Sequence, residues 1–352
     1  MNETVITIRT PRPYDYVLGT QILPSCGQRL HALFPHAATV GLVSDTNVAP
    51  LYAEGVTQAL EGAGFRVLPF VVGFGERAKT LGVYANALRY FSESNLLRSD
   101  IIVGLGGGVV GDLTGFIAAT YMRGISYATL PTTLLAMVDS SVGGKTGLNL
   151  PAGKNLCGAF WQPSLVLADT DTLLTLPPDE VHCGMGEVFK YGVLSRAVYD
   201  TLDKPDVHGL PSRASILACV HYKADLVTRD EHDTGARMLL NLGHTLGHAM
   251  EKRSRFRLPH GIAVAEALLL VACSAARTGK LSQKGYAAVT DLAGRLGFAP
   301  KLRYHLTDLI EDMRLDKKNV GKELTLVVPY DIGDCRTERY TSRNFMKFFG
   351  LL

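Results

Sequence analysis

The chain has 352 residues, 47% of them hydrophobic and 20% charged, with a formal net charge of +3. That length suits two domains with sizeable cores, and the composition excludes a disordered protein. The charge is too mild for a nucleic-acid binder and fits a small acidic substrate better. The cysteines, Cys26, Cys157, Cys183, Cys219, Cys273 and Cys335, include no CxxC pair and are expected to be reduced thiols. "MNETVITIRTPRP" lacks the apolar core of a signal peptide, and the run "EALLLVACSAA" is too short to cross a bilayer. The expectation is a soluble, cytoplasmic protein with no membrane or nucleic-acid partner.

The first half alternates. "ATVGLVSDTNV" predicts a buried strand, "APLYAEGVTQALEGAG" a helix, "FRVLPFVVG" a strand, "AKTLGVYANALRYFSESNLLR" a long helix and "DIIVGLGGG" a third strand. "VVGDLTGFIAATYMRG" reads as a helix, "SYATLPT" as extended, and "LVLADTD" as the last strand. Strands and helices alternating in this way predict an α/β domain with a parallel, Rossmann-like sheet and helices on both faces. After Pro178 the pattern turns helical. "PPDEVHCGMGEVFKYGVLSRAVYDTL", "SRASILACVHYKADLVTRDE", "ARMLLNLGHTLGHAMEKR", "GIAVAEALLLVACSAARTG" and "QKGYAAVTDLAGRLG" each read as helix, and "ELTLVVPYDIG" as a short hairpin-like piece. The expected domains are 1–177, α/β, and 178–352, α-helical.

Two places carry chemistry. In "DIIVGLGGGVVGD" the run Gly106 to Gly111 fits GxGxxG between a strand and a helix. Glycines there let a backbone approach a pyrophosphate at a helix N-terminus. The run follows several βα units rather than the first, which points to a dinucleotide-binding architecture other than the ordinary one. Asp45 and Asn47 after one strand, and Glu76 and Lys79 after the next, are candidates for ribose or adenine contacts. The second place is "NLGHTLGHAMEKRSRFRLPHG", with Glu187 and Lys190 on an earlier helix. A catalytic divalent ion takes three protein ligands and keeps an open position. Four candidates stand here: Glu187, His244, His248 and His260. Spacing alone favours His244 with His248, four residues apart on one helical face.

The stretches "GGGVVGDLTGF", "ATYMRG", "PTTLLAMVDSSVGGKTGLNLPAGKNLCGAFWQP", "GMGEVFKYG", "RDEHDTGARMLLNLGHTLGHAMEK", "HGIAVAEAL" and "DKKNVGKELTLVV" run in order from about residue 100 to about residue 330. Together they resemble the 3-dehydroquinate synthase family of sugar phosphate cyclases. The resemblance implies an NAD-binding first domain, a metal-binding second domain and a homodimer. It implies one divalent ion, zinc or cobalt, held by Glu187, His244 and His260, with His248 a substrate-site residue, against the spacing argument. It also implies cofactor contacts from Asp45, Asn47, Glu76, Lys79, Gly107, Gly108, Val109, Asp112, Thr132, Thr133, Asp139 and Lys154.

The implied substrate, 3-deoxy-D-arabino-heptulosonate 7-phosphate, carries a carboxylate, a phosphate and hydroxyls. By the same resemblance Arg123, Lys145, Asn155, Lys190, Lys223, Arg237, Asn241, His248 and Lys318 stand at catalytic and substrate positions. The implied chemistry is transient oxidation by NAD, phosphate elimination, re-reduction and an intramolecular aldol. Two departures occur in "HGIAVAEALL": Ile262 replaces the family's usual acid, and Glu266 is new. Sister cyclases that make 2-epi-5-epi-valiolone or 2-deoxy-scyllo-inosose are the alternative. Their substrates lack the carboxylate that Lys223, Arg237, Asn241 and His248 suit.

Overall fold

The apolar runs of the first half fold into strands and the amphipathic runs between them into helices. In this computed structural model, residues 3–203, 205–301, 303–316 and 323–351 are described. The chain divides into two units, Met1–Leu176 and Pro177–Leu352.

The first unit opens with β1 (Glu3–Ile8), β2 (Tyr14–Gly19) and α1 (Cys26–Leu33). Then come β3 (Thr39–Asp45), α2 (Ala49–Gly62), β4 (Arg66–Val72), α3 (Leu81–Glu93), β5 (Ile101–Gly106) and α4 (Gly108–Thr120). It closes with β6 (Ser126–Pro131), a π-helical turn at Ala136–Ser140, a hairpin of β7 (Lys145–Leu150) and β8 (Gly153–Phe160), and β9 (Leu165–Asp169). Among the described residues, the main sheet runs β1-β2-β9-β6-β5-β3-β4. Its strands are parallel from β2 to β4, and β1 adds an antiparallel edge. The hairpins β1–β2 and β7–β8 were not expected from the sequence.

Side chains alternate across the sheet. Ile101, Val103 and Leu105 of β5 join the core under α1 and α2, while Ile102 joins the core that holds Phe91 of α3 and Leu113 and Ile117 of α4. The order also explains the late glycine run. From β3 the chain goes outward to β4, then returns to the other side of β3 as β5. The carboxyl ends of β3 and β5 therefore flank a topological switch point, where ligands of such sheets gather.

The second unit contains α5 (Pro178–Leu194), the short α6 (Arg196–Tyr199), α7 (Arg213–Arg229), a 3-10 turn at Ala236–Asn241 and α8 (His244–Arg253). It continues with α9 (His260–Arg277), α10 (Gln283–Arg295), α11 (Leu306–Asp316), the hairpin of β10 (Glu323–Asp331) and β11 (Asp334–Thr341), and α12 (Ser342–Phe348). The stretch expected as one helix from Ala236 to Arg253 breaks at Gly243, whose φ of 78° is left-handed. A Cβ there would stand 2.6 Å from the Val264 carbonyl, so a bare glycine lets α8 begin against α9.

Helix α9, which contains the apolar run "EALLLVACSAA", is by length and composition alone enough to span a membrane, at 18 residues with mean hydropathy 1.4. Its Val264, Leu268, Leu269 and Val271 are nevertheless buried within the unit, as in the core helix of a globular domain. Burying each such side chain is worth about 1.5–3 kcal/mol. All six cysteines are free thiols, as expected.

Candidate active site

Glycines decide where the second unit brings its polar groups together. A Cβ on Gly186 of α5 would lie 2.0 Å from the Gly261 carbonyl oxygen, and one on Gly261 would lie 1.8 Å from that of Cys183. Backbones that close require both positions bare. The neighbours of these glycines are Glu187 and His260, so the crossing of α5 and α9 sets the two side by side. Gly243 and Gly247 play the same part between α8 and α9, with contacts of 2.6 Å to Val264 and 3.3 Å to Ala263. Their neighbours are His244 and His248.

The result is one cluster. The ligand atoms of His244, His248 and His260 lie within 4.8 Å of one another. Glu187 is 0% exposed, and its Oε1 faces His260 Nε2 at 3.3 Å and His244 Nε2 at 3.7 Å. The Lys190 ammonium lies against Oε2, yet neither Glu187 oxygen accepts a well-formed hydrogen bond. Lys190 compensates the buried charge on the Oε2 side, and on the Oε1 side only the two imidazole nitrogens face it.

The outer shell points the same way. His244 Nδ1 lies 3.1 Å from the Leu242 carbonyl, which can only accept, so Nδ1 carries the hydrogen and Nε2 offers its lone pair. His260 Nδ1 lies 3.0 Å from Glu251 Oε2. Burial, with the nearby cations of Lys190, His260 and His248, holds the His244 pKa well below the usual imidazole range. Burial opposes charge on His260 too, but the carboxylates of Glu187 and Glu251 outweigh it and push that imidazole up to about 10. This set of one carboxylate and two oriented imidazoles fits a divalent ion of the zinc class. His248 is exposed and lines a pocket of about 360 Å³ with Asn241, His244, Thr245, Lys252 and Thr325.

Three further cations are buried in this unit. Lys190 and Arg237 are each 1% exposed and Lys223 is 6% exposed. Lys190 also stands 4.6 Å over the Tyr191 ring. Arg237 is placed by its turn: Asp230 accepts N–H bonds from Thr234, Gly235 and Arg237, and Arg237 Nη1 donates to the Glu231 carbonyl at 2.6 Å. Lys318 lies outside the described residues.

In the first unit the glycine run closes β5 and starts α4, with Gly107 as a cap that offers no side chain. A Cβ on Gly107 would stand 2.9 Å from Thr133 Cγ2, and one on Gly108 2.7 Å from Ser140 Oγ. The buried hydroxyls of Thr132 and Ser140 have no hydrogen-bond partner among the described residues. Open N–H groups, bare glycines and unspent hydroxyls make a cradle that fits a diphosphate. Gly111, third in the motif, meets nothing within 4 Å; the close packing falls to Gly104 against Thr114 and to Gly115 against Thr146. Val109 follows on α4, and Asp139 lies in the π turn.

Beside it is a second polar group. Lys79, 1% exposed, donates to Asp112 at 2.7 Å and to Asn155 Oδ1 at 2.5 Å. Asn149 donates to Glu76 Oε2 at 2.7 Å and accepts from Asn155 N at 3.0 Å, and Lys154 stands 3.8 Å from Glu76. Glu76, Lys79, Asp112 and Lys154, expected as cofactor contacts, and Asn155, expected at the substrate, thus form one network around Asn149, which the sequence did not single out. Asp45 is buried and uses Oδ1 on the N–H groups of Asn47 and Val48, which turns the chain into α2. Asn47 is exposed, as are Arg123 and Lys145, and Arg123 has a left-handed φ of 65°. Ser140 and Glu251 were also missed. Ser140 follows Asp139 directly, and Glu251 follows His248 by one helical turn.

Family signatures match both halves: 3-dehydroquinate synthase N-terminal at residues 69–183 and 3-dehydroquinate synthase C-terminal at residues 184–319. The 3-dehydroquinate synthase of Pelotomaculum thermopropionicum is 41% identical, covering 99% of this chain and 96% of its own. That of Caulobacter vibrioides is 39% identical, covering 96% and 95%. Among solved structures, a 2-deoxy-scyllo-inosose synthase complexed with carbaglucose-6-phosphate, NAD+ and Co2+ superposes with a TM-score of 0.86 at 23% identity, covering 98% of this chain and 99% of that one. A 2-epi-5-epi-valiolone synthase from Streptomyces hygroscopicus subsp. jinggangensis 5008 with NAD+ and Zn2+ bound gives 0.83 at 23%, covering 95% of each. These two likenesses establish the fold, and the near-complete sequence matches establish that the chain belongs to the 3-dehydroquinate synthase family.

Proposed function

We propose that the chain converts 3-deoxy-D-arabino-heptulosonate 7-phosphate to 3-dehydroquinate and phosphate, a step toward chorismate and the aromatic amino acids. The observation that carries this reading is the buried Glu187 carboxylate, whose Oε1 faces the Nε2 atoms of His244 and His260. Glu187, His244 and His260 hold a divalent ion, zinc or cobalt, and the glycine cradle at α4 with the Lys79 network holds NAD. When bound, these groups supply Lewis-acid polarisation of the substrate hydroxyls and reversible hydride uptake.

The chain's own residues supply position and charge. Arg237 as a fork and Lys223 as a point charge suit the substrate carboxylate. Asn241 and His248, on the lining of one pocket, suit its hydroxyls and phosphate. Lys190 sets its ammonium on the Glu187 carboxylate and keeps that buried charge compensated. Arg123, Lys145, Asn155 and Lys318 complete the set by family position. The enzyme works as a cytoplasmic homodimer in this reading.

A sister cyclase activity is the second reading, favoured by the shared fold; the identities of 39–41% to 3-dehydroquinate synthases against 23% to the sister enzymes weigh against it. The test is phosphate release from the heptulosonate phosphate, with and without a chelator. Release that stops on metal removal and returns with zinc or cobalt is expected. Full activity of metal-free protein, or equal turnover of sedoheptulose 7-phosphate, would overturn the reading.

A further inference from the structure

Glu251 is 2% exposed, on α8, and its Oε2 reaches Nδ1 of His260, the first residue of α9. Its backbone is pinned as well: the Glu251 carbonyl accepts from Phe256 N and Ser254 Oγ, each at 2.7 Å, where α8 ends. The two metal-facing imidazoles are thus oriented differently. His244 leans on a backbone carbonyl, at Leu242, and His260 on a buried carboxylate. A partner on one ring nitrogen fixes the tautomer and aims the other nitrogen.

We propose that Glu251 is a positioning residue that holds His260 with Nδ1 protonated and Nε2 turned to the Glu187 side of the cluster. The proposal rests on the metal-ligand reading of His260. Glu251→Ala removes the acceptor, and Glu251→Gln keeps an acceptor oxygen without the charge. Two readouts apply: metal affinity by competition against a chelating dye, and the visible spectrum of the cobalt-loaded chain. In Glu251→Ala, affinity should weaken roughly tenfold to a hundredfold and the cobalt spectrum should change. Glu251→Gln should recover most of both. Unchanged affinity and spectrum in Glu251→Ala would overturn the proposal. A wild-type chain that binds no metal would instead sink the ligand reading on which the proposal rests.

An independent feature lies on the outer side of the same connection. A pocket of about 450 Å³ is lined by Arg253, Arg255, Arg257, Arg303, Leu258 and Tyr304, with Ser254. Two of the arginines are pinned from behind: Arg253 by Asp308 at 2.7 Å and Asp312 at 2.8 Å, and Arg303 by the buried Glu266 at 2.7 Å. Glu266 is the acid that is new to this sequence, so the departure has a structural role: it fixes Arg303. Arg255 and Arg257 are exposed and have no ion pair among the described residues, and no carboxylate lines the pocket.

We infer that this pocket binds a small oxyanion of the phosphomonoester or polycarboxylate type, with Arg255 and Arg257 as the free forks. The probes are inorganic phosphate and citrate, followed by the arginine side-chain NMR signals of the metal-loaded enzyme, with sodium chloride at equal ionic strength as control. Saturable shifts of the Arg255 and Arg257 signals are expected. They should weaken at least tenfold in Arg255→Gln with Arg257→Gln, while the KM for the sugar phosphate stays unchanged. The stronger of the two probes identifies the anion class. Shifts that merely follow ionic strength would overturn the site.

Discussion

At the end of β5, Gly107 and Gly108 are bare, and the atoms a side chain would strike are the side chains of Thr133 and Ser140. At the crossing of α5 and α9, Gly186 and Gly261 are bare, and the atoms a side chain would strike are the backbone of the other helix. In the first unit glycine leaves the backbone bare beside side chains, where the cofactor is proposed to lie. In the second it lets two helices touch, so that residues next to the contact, Glu187 and His260, are delivered to one point. The same residue type thus serves ligand access in one place and ligand-group convergence in the other, and substitutions should separate the two uses.

The largest effect is expected where glycine closes space. In Gly261→Ala the new methyl would sit 1.8 Å from the Cys183 carbonyl, so α5 and α9 must part. Overpacking of this kind costs about 3 kcal/mol. Thermal unfolding should fall well below that of the unaltered chain, and the metal content of the purified variant should drop with it. A variant of unchanged melting temperature and full metal content would erase the contrast between the units.

Next comes Arg237→Ala, which sharpens the reading of the second unit as an anion site. The lost charge-assisted bonds are worth roughly 1.5–3 kcal/mol each, or about tenfold to a hundredfold in kcat/KM. The heptulosonate should suffer far more than the carboxylate-free sedoheptulose 7-phosphate. Equal damage to both substrates would move the carboxylate contact elsewhere.

Gly108→Val tests the open cradle. Its Cβ meets the Ser140 hydroxyl at 2.7 Å, a side-chain atom that can swing aside. The fold should survive, with a melting temperature near that of the unaltered chain. NAD affinity, read by fluorescence titration, should weaken by about tenfold, because added bulk blocks backbone approach to the diphosphate. Unaltered affinity would reject the cradle. The smallest effect is expected for His248→Ala: one metal per chain is kept, and turnover falls by about tenfold, as for the loss of a single hydrogen bond worth about 1.4 kcal/mol. Metal loss equal to that of His244→Ala would make His248 a ligand.

How far the sequence foretold these features depends on the distance over which each is specified. The parallel strands β3, β5, β6 and β9 were legible because a strand buried on both faces is a continuous apolar run. The hairpins β1–β2 and β7–β8 were not, since their alternating polar residues resemble loop sequence. In the site, the pairing of His244 with His248 was visible from helical spacing, whereas the approach of Glu187 to His260 was not. That approach is a tertiary contact over many residues, and its only local mark is a glycine beside each acid or imidazole. The break at Gly243 was missed for a similar reason: the apolar periodicity runs through it, and only the neighbouring helix requires the left-handed turn.

The π-helical turn at Ala136–Ser140 has a geometric consequence. A π turn is in effect an α-helix carrying one inserted residue, kept at a cost in regular hydrogen bonding and found often at working sites. Here it carries Asp139 and ends at Ser140, whose hydroxyl faces the bare Cα of Gly108. Deleting one residue from this turn would rotate Ser140 by about 100° about the helix axis, since each helical residue turns the chain by that much. The hydroxyl would leave Gly108, so the turn holds Ser140 at an angle that a regular helix would not give.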